Sequence, residues 1–158
     1  MPDTDSLTQL EYYEETRQAG WRSCFVGAAF PICVWAGTAF GFSMETVFLA
    51  ASAFTLVAAN SNNKQTLYNT NIKVPDQLEA RLKDYAQDVA VHSALVGFSV
   101  SCTAIFARQA VTEISNHGLS WRAAASMVLG IGSYGLSEFA IGEVRHYAEE
   151  LATNQLKL

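Results

Sequence analysis

The hydrophobic pattern of this chain is dominated by long stretches that contain no charged residue. Between Arg22 and Lys64 the only charged residue is Glu45. About 18 consecutive apolar residues cross a hydrocarbon core that is about 30 Å thick. The stretch is therefore long enough for two crossings, and we expect a hairpin of two short transmembrane helices over residues 24–60.

Two further stretches of this kind lie in the second half of the chain. Residues 89–107 contain His92 and Cys102 as their only ionisable side chains, and residues 123–137 contain no charge. Each stretch is long enough for one crossing. The pattern therefore predicts an all-α integral membrane protein with four transmembrane helices in two hairpins.

The segments around the first hairpin are more polar. Residues 1–22 have apolar positions at helical spacing, which predicts an amphipathic helix at the membrane interface. A solvated extension of the first span explains the same pattern. Residues 61–74 are rich in asparagine, which favours loops by bonding its own backbone.

The second hairpin is expected over residues 75–142. A long helix should begin near residue 75 and continue to about residue 112, with its first third extending from the membrane on the cytoplasmic side. The fourth span should begin at Trp121 and end near Gly142. A polar tail over residues 143–158 should continue it as a helix, so that the whole chain forms a single membrane domain.

Two turns can be predicted from their residues. Ser43 is a good N-cap for the second helix, because its hydroxyl can accept a hydrogen bond from the first helical turn. Asn116, His117 and Gly118 form a turn signal between the third and fourth helices. Pro31 lies inside the first span, where its missing N–H predicts a kink.

A buried helical bundle of a soluble protein is the alternative fold. A soluble helix needs a polar face at 3.6-residue spacing, and residues 24–42 have none. The pattern therefore favours a membrane protein.

Basic residues predict the orientation of the spans. If the N-terminus is cytoplasmic, two basic residues are external and eight are cytoplasmic, as the positive-inside rule requires. The external residues are Arg108 and Arg122, and the cytoplasmic ones are Arg17, Arg22, Lys64, Lys73, Arg81, Lys83, Arg145 and Lys157. Both termini should therefore face the cytoplasm, and we expect a bacterial or organelle inner membrane.

Composition agrees with this class. Only 16% of the 158 residues are charged and 50% are hydrophobic, whereas an ordinary soluble domain has about 25% charged residues. The net charge is −5 and there is no run of basic residues. A nucleic-acid partner is therefore not expected, and the expected partners are the lipid bilayer and other membrane subunits or copies of this chain.

Two polar residues interrupt the predicted spans, both toward the cytoplasmic side. Glu138 should be paired or protonated, because an ionised carboxylate within a bilayer is costly. It could act in a proton or cation relay, or it could bond a neighbouring helix or subunit. His92 follows Asp88 by one turn, which predicts a simple i, i+4 pair. A proton pathway through His92 and Glu138 is the functional alternative.

Small residues predict where helices pack. Gly37 and Gly41 form a GxxxG motif in the first span, and small residues also follow one face of the fourth helix. Such residues allow close helix approach, within the chain or between subunits, although they can also line a narrow pore. The small residues of the fourth helix are Ser126, Gly130, Ser133 and Ser137.

A short internal similarity is also present. Residues 23–27 (SCFVG) and residues 93–97 (SALVG) share three identical positions. If the similarity is structural, it indicates two parallel units related by an axis along the membrane normal.

The sequence contains no constellation that we can assign to catalysis, metal ligation or cofactor binding. We therefore expect a non-enzymatic structural or assembly subunit of a larger multi-protein membrane complex. The first alternative is a small oligomeric channel or transporter with Glu138 and His92 on its polar pathway. A membrane redox subunit, with His92 as a haem ligand completed by a partner, is the second.

Overall fold

The computed structural model describes residues 4–43, 46, 47, 49–55, 57, 58 and 76–155. These residues form four helices and no strand. Helix α1 spans Thr4–Ala39, and α2 comprises the helical residues within 46–58. Helix α3 spans Asp76–His117 and α4 spans Trp121–Gln155. The predicted loop over residues 61–74 lies outside the described residues.

The N-terminal segment and the first apolar stretch form one helix. Helical residues continue without a break from Thr4 through Pro31 to Ala39. This continuity favours an extension of the first apolar helix over a separate interfacial helix. The C-terminal tail likewise continues α4 as far as Gln155, as predicted.

Helix α1 ends in a Schellman motif. Gly41 has a φ of 84°, and its N–H donates to Thr38 while the N–H of Phe42 donates to Gly37. Glycine is favoured at this left-handed position because a Cβ would be strained there. Ser43 then caps α2, since its hydroxyl accepts a hydrogen bond of 3.3 Å from the N–H of Thr46, which confirms the predicted cap.

Helices α1 and α3 run parallel and cross with their backbones in contact. A Cβ built on Gly27 would overlap the carbonyl group of Ala94, and a Cβ built on Gly97 would overlap that of Cys24. Further along, the rings of Phe30 and Phe98 lie 6.2 Å apart. Before the crossing Gly20 lies against Val89 and Ser93, and beyond it Trp35 contacts Arg108, so the two helices run in the same direction.

Helices α3 and α4 form an antiparallel hairpin. Gly118 ends α3 with a φ of 70°, and the hydroxyl of Ser120 caps α4 at the N–H of Ala123. The predicted turn is therefore confirmed. Gly130 lies against Phe106 and Ala107. Helix α3 is thus the middle helix, with α1 on one side and α4 on the other.

The packing of this protein places small side chains inside and large apolar side chains outside. The buried residues include alanines, serines and glycines of all four helices, with Val47 and Val89 among the few larger ones. The exposed side chains include large apolar residues along every helix. Examples are Phe25 at 71% exposure and Ile131 at 72%.

Four spans were expected, but only two of the described helices are long and apolar enough to cross a membrane. These are Gln87–His117 and Trp121–Tyr147. Arg22 precedes the apolar part of α1 and the Schellman motif ends it at Ala39, so its charge-free helical part falls just short of about 18 residues. The described part of α2, within residues 46–58, is shorter still.

Candidate functional site

His92 lies on α3 and faces α4. Its Nδ1 lies 2.8 Å from the carbonyl oxygen of Asp88, and its ring centroid lies 5.4 Å from that of Tyr147. The expected pairing with residue 88 is therefore made through the backbone carbonyl. The histidine ring is fixed between its own helix and the aromatic ring of α4.

The contacts of His92 mark one end of the apolar parts of the three long helices, and we call the two ends of these apolar parts the ends of the bundle. Gly27 and Gly97 lie at the same level of the parallel pair, so Arg22 and His92, five residues earlier on each helix, are level as well. Tyr147, where the apolar part of α4 ends, lies at the same level, with Arg145 two residues away. Basic and aromatic side chains thus gather at this end.

The opposite end also combines arginine with tryptophan. The guanidinium of Arg108 on α3 lies 4.7 Å from the ring centroid of Trp35 on α1. On α4 the guanidinium of Arg122 lies 5.9 Å from the ring centroid of Trp121. Arginine stacked on tryptophan is a cation–π contact worth about 0.5–1 kcal/mol at exposed sites.

Glu138 lies midway between these two ends. Gly130 packs against Ala107 in the antiparallel hairpin, so Glu138, eight residues further along α4, is level with about Ser99 of α3. At 1.5 Å per residue, Ser99 is about 10 Å from His92 and about 14 Å from Arg108 along the helix. Glu138 therefore lies well inside the apolar part of α4, slightly nearer to the end that contains His92 than to the end that contains Arg108.

The side chain of Glu138 is exposed on the face of α4 that points away from α3. Its carboxylate lies beside the hydroxyl of Tyr134, one turn earlier on the same helix. Tyr134 is itself 56% exposed. A carboxylate has about four acceptor positions, so this single phenol leaves most of its hydrogen-bonding capacity available.

The structure gives His92 and Glu138 separate surroundings. His92 contacts Asp88 and Tyr147 near one end of the hairpin, whereas Glu138 contacts Tyr134 in the middle of the outer face. This arrangement does not favour a proton pathway that joins the two within one chain.

The predicted small-residue face of α4 points toward α3. Ser126 and Ser137 are each 4% exposed, Gly130 is buried and Ser133 is half-buried. The hydroxyl of Ser137 donates a hydrogen bond of 2.7 Å to the carbonyl oxygen of Tyr134. This placement favours helix packing within the chain over a pore lining.

The two glycines of the GxxxG motif in α1 have different roles. A Cβ on Gly37 would lie 2.6 Å from a methyl carbon of Val47, so this glycine allows α2 to approach α1. A Cβ on Gly41 would have no atom within 4 Å, and this glycine instead forms the turn. Only the first glycine therefore serves the close packing that the motif predicts.

The closest helix contact falls on glycines that the sequence analysis did not select. Gly27 and Gly97 end the two similar segments, residues 23–27 and 93–97, and these segments lie face to face in the crossing. Ser23 and Ser93, which begin the segments, are 5% and 7% exposed. The repeated Ser-x-x-x-Gly spacing was the available signal, since two small residues four apart allow close approach.

Within the part of the chain that the structure describes, no group of three histidine, cysteine, aspartate or glutamate side chains could hold a metal ion. No protein-family model, curated protein or solved structure matches this chain.

Proposed function

We propose that this chain is an integral membrane protein that serves as a non-enzymatic structural or assembly subunit of a larger membrane complex. The observation that supports this best is the distribution of side-chain size between the inside and the outside. Helices in water bury their large apolar side chains. Helices in lipid gain nothing from doing so and pack through small residues instead.

The exposed apolar surface supports the membrane environment. Only 22% of the apolar window in α3, and 22% of that in α4, is buried within the chain. A core helix of a soluble protein would be mostly covered, and soluble monomers rarely expose large contiguous apolar patches. Hydrocarbon would solvate these faces at no cost.

The direction of the helices supports four crossings. Helices α1 and α3 run parallel, so if both cross the membrane in the same direction, the chain between them has to cross back. The helical residues within 46–58 are the described part of that connection. A helix this short can still cross if the bilayer thins locally or polar flanks reach the interface.

The arginine positions support the predicted orientation. Arg22 and Arg145 lie at one end of the bundle, whereas Arg108 lies at the other. The larger number of basic residues on the side of the first end supports a cytoplasmic location for that end and for both termini. We assign the protein to a bacterial or organelle inner membrane on this basis.

The hydrogen bonds and contacts of the polar side chains support a structural role. The hydroxyls of Ser99, Thr103 and Ser137 all donate to carbonyl oxygens of their own helices. The small residues pack between helices, and the ring of His92 contacts Asp88 and Tyr147. These groups stabilise the bundle and leave its outer faces for partners.

Co-purification tests this proposal. The full-length chain, tagged and expressed at native level, should be extracted in mild detergent together with other membrane proteins at a fixed ratio. Mass spectrometry of the complex and its size on a native gel would measure that ratio. Isolation as a monomer would contradict the proposal, and a closed homo-oligomer would instead support the channel.

A further inference from the structure

The outer face of α4 combines apolar, small and charged residues in a way that specifies a partner. Its exposed apolar residues include Val128, Ile131 and Phe139. Gly132, Gly135 and Gly142 lie on the same face, and a Cβ on any of them would meet no atom within 4 Å. The α4 outer face, as we call these six residues with Glu138, is opposite the one that packs on α3.

Glu138 is the one ionisable group of the α4 outer face, and its depth is the important feature. It lies level with Ser99, between the arginine-containing ends of the bundle. If α4 crosses a bilayer, this carboxylate faces lipid near the middle of the hydrocarbon. An ionised carboxylate there costs several kcal/mol without a partner, and one tyrosine hydroxyl is a small compensation.

Charge complementarity decides what covers the α4 outer face. The described arginines of this chain lie at the ends of the spans, as Arg22, Arg108, Arg122 and Arg145 do. A second copy would bring the same face, whose only charge is another carboxylate at the same depth. A different protein with a lysine or arginine in the middle of a transmembrane helix would neutralise Glu138.

We propose that the α4 outer face binds a transmembrane helix of a different protein, which pairs a mid-membrane lysine or arginine with Glu138. The exposed glycines allow that helix to approach closely. Tyr134 orients the carboxylate from the side. This inference rests on the proposed function and names the chemistry by which the subunit recognises its partner.

Site-specific photo-crosslinking tests the inference. A photoreactive amino acid replaces Phe139 in the full-length chain, in native membranes, and the crosslinked peptide is identified by mass spectrometry. We expect an apolar helical peptide of a different protein that contains a lysine or arginine. The Glu138→Gln change should lower the crosslinking yield about tenfold or more, because one side chain of an intramembrane ion pair is lost.

Glu143→Gln is the matched control. Glu143 is on the same helix but lies near the level of His92, at the membrane boundary. The crosslinking yield of the Glu143→Gln variant should therefore stay unchanged. A crosslink to a second copy, or to a peptide without a basic residue, would overturn the inference, as would an unchanged yield in Glu138→Gln. So would the absence of any protein crosslink while partners still co-purify. The proposed function fails separately, if the unmodified chain co-purifies with no other protein.

Discussion

Replacing Gly27 by leucine should separate α1 from α3 and lower the free energy of unfolding by about 3 kcal/mol. Overpacking a close interface typically costs about 1–3 kcal/mol. The upper end applies because the Cβ at this position already overlaps the backbone carbonyl of Ala94, which cannot rotate away as a side chain could. Trp35 contacts Arg108 across the same pair of helices. With Trp21 and Trp121 replaced by phenylalanine, the fluorescence of Trp35 during thermal unfolding in detergent reports the loss of stability.

Gly132→Leu provides the control for this change. It introduces the same side chain into a helix, but a Cβ at Gly132 meets no atom within 4 Å. Removing a helical glycine stabilises a helix by roughly 1 kcal/mol. We therefore expect the isolated chain to be as stable as the unmodified protein or slightly more so. Equal unfolding midpoints for the two variants would contradict the crossing.

Replacing Ile32 by arginine should reduce the amount of membrane-inserted protein strongly. Ile32 is 49% exposed in the middle of the apolar part of α1, so an arginine there would face hydrocarbon. The cost at the centre of a span is about 2.5–3.5 kcal/mol, which corresponds to roughly 100-fold in the insertion equilibrium. In a soluble protein the same exposed substitution would be nearly harmless.

Leu119→Arg is the control for insertion. Leu119 is 83% exposed but lies in the turn between α3 and α4, at the end of the bundle that contains Arg122. We expect normal levels of this variant in membranes that have been washed with alkaline carbonate. If Ile32→Arg is as abundant as Leu119→Arg in the washed membranes, α1 does not lie in hydrocarbon.

The turns and helix starts were predictable because they depend on local chemistry. Ser43 accepts a hydrogen bond from the first turn of α2, and Gly118 takes the left-handed conformation that ends α3. Both effects act within a few residues, so the sequence specifies them directly. The prediction for the end of α1 was less accurate, because it assigned Gly41 to helix packing, whereas Gly41 forms the turn.

The level of Glu138 depends on the position of the turn, which hydropathy alone does not give. The charge-free stretches, residues 89–107 and 123–137, suggest that both spans cover the same depth. The turn at Gly118 and Ser120 lies much closer to the second stretch than to the first, so in the antiparallel hairpin Glu138 is level with Ser99. The contact of Gly130 with Ala107 has the same register.

The pairing of α1 with α3 was only partly predictable from the sequence. The similarity between residues 23–27 and residues 93–97 was visible, and the two helices that contain these segments run parallel. It did not show that the two segments touch. That contact follows from the small size of Gly27 and Gly97, which a hydrophobicity pattern treats as neutral.

Cysteine accessibility in intact cells tests the central claim most directly, namely that these helices cross a membrane with both ends of the chain inside. With the three native cysteines replaced by alanine, single cysteines are placed at exposed positions Gln18, Asn116 and Glu149. We predict that a membrane-impermeant maleimide labels Asn116→Cys from outside, whereas Gln18→Cys and Glu149→Cys react only after permeabilisation. Labelling of all three from the same side would contradict the account.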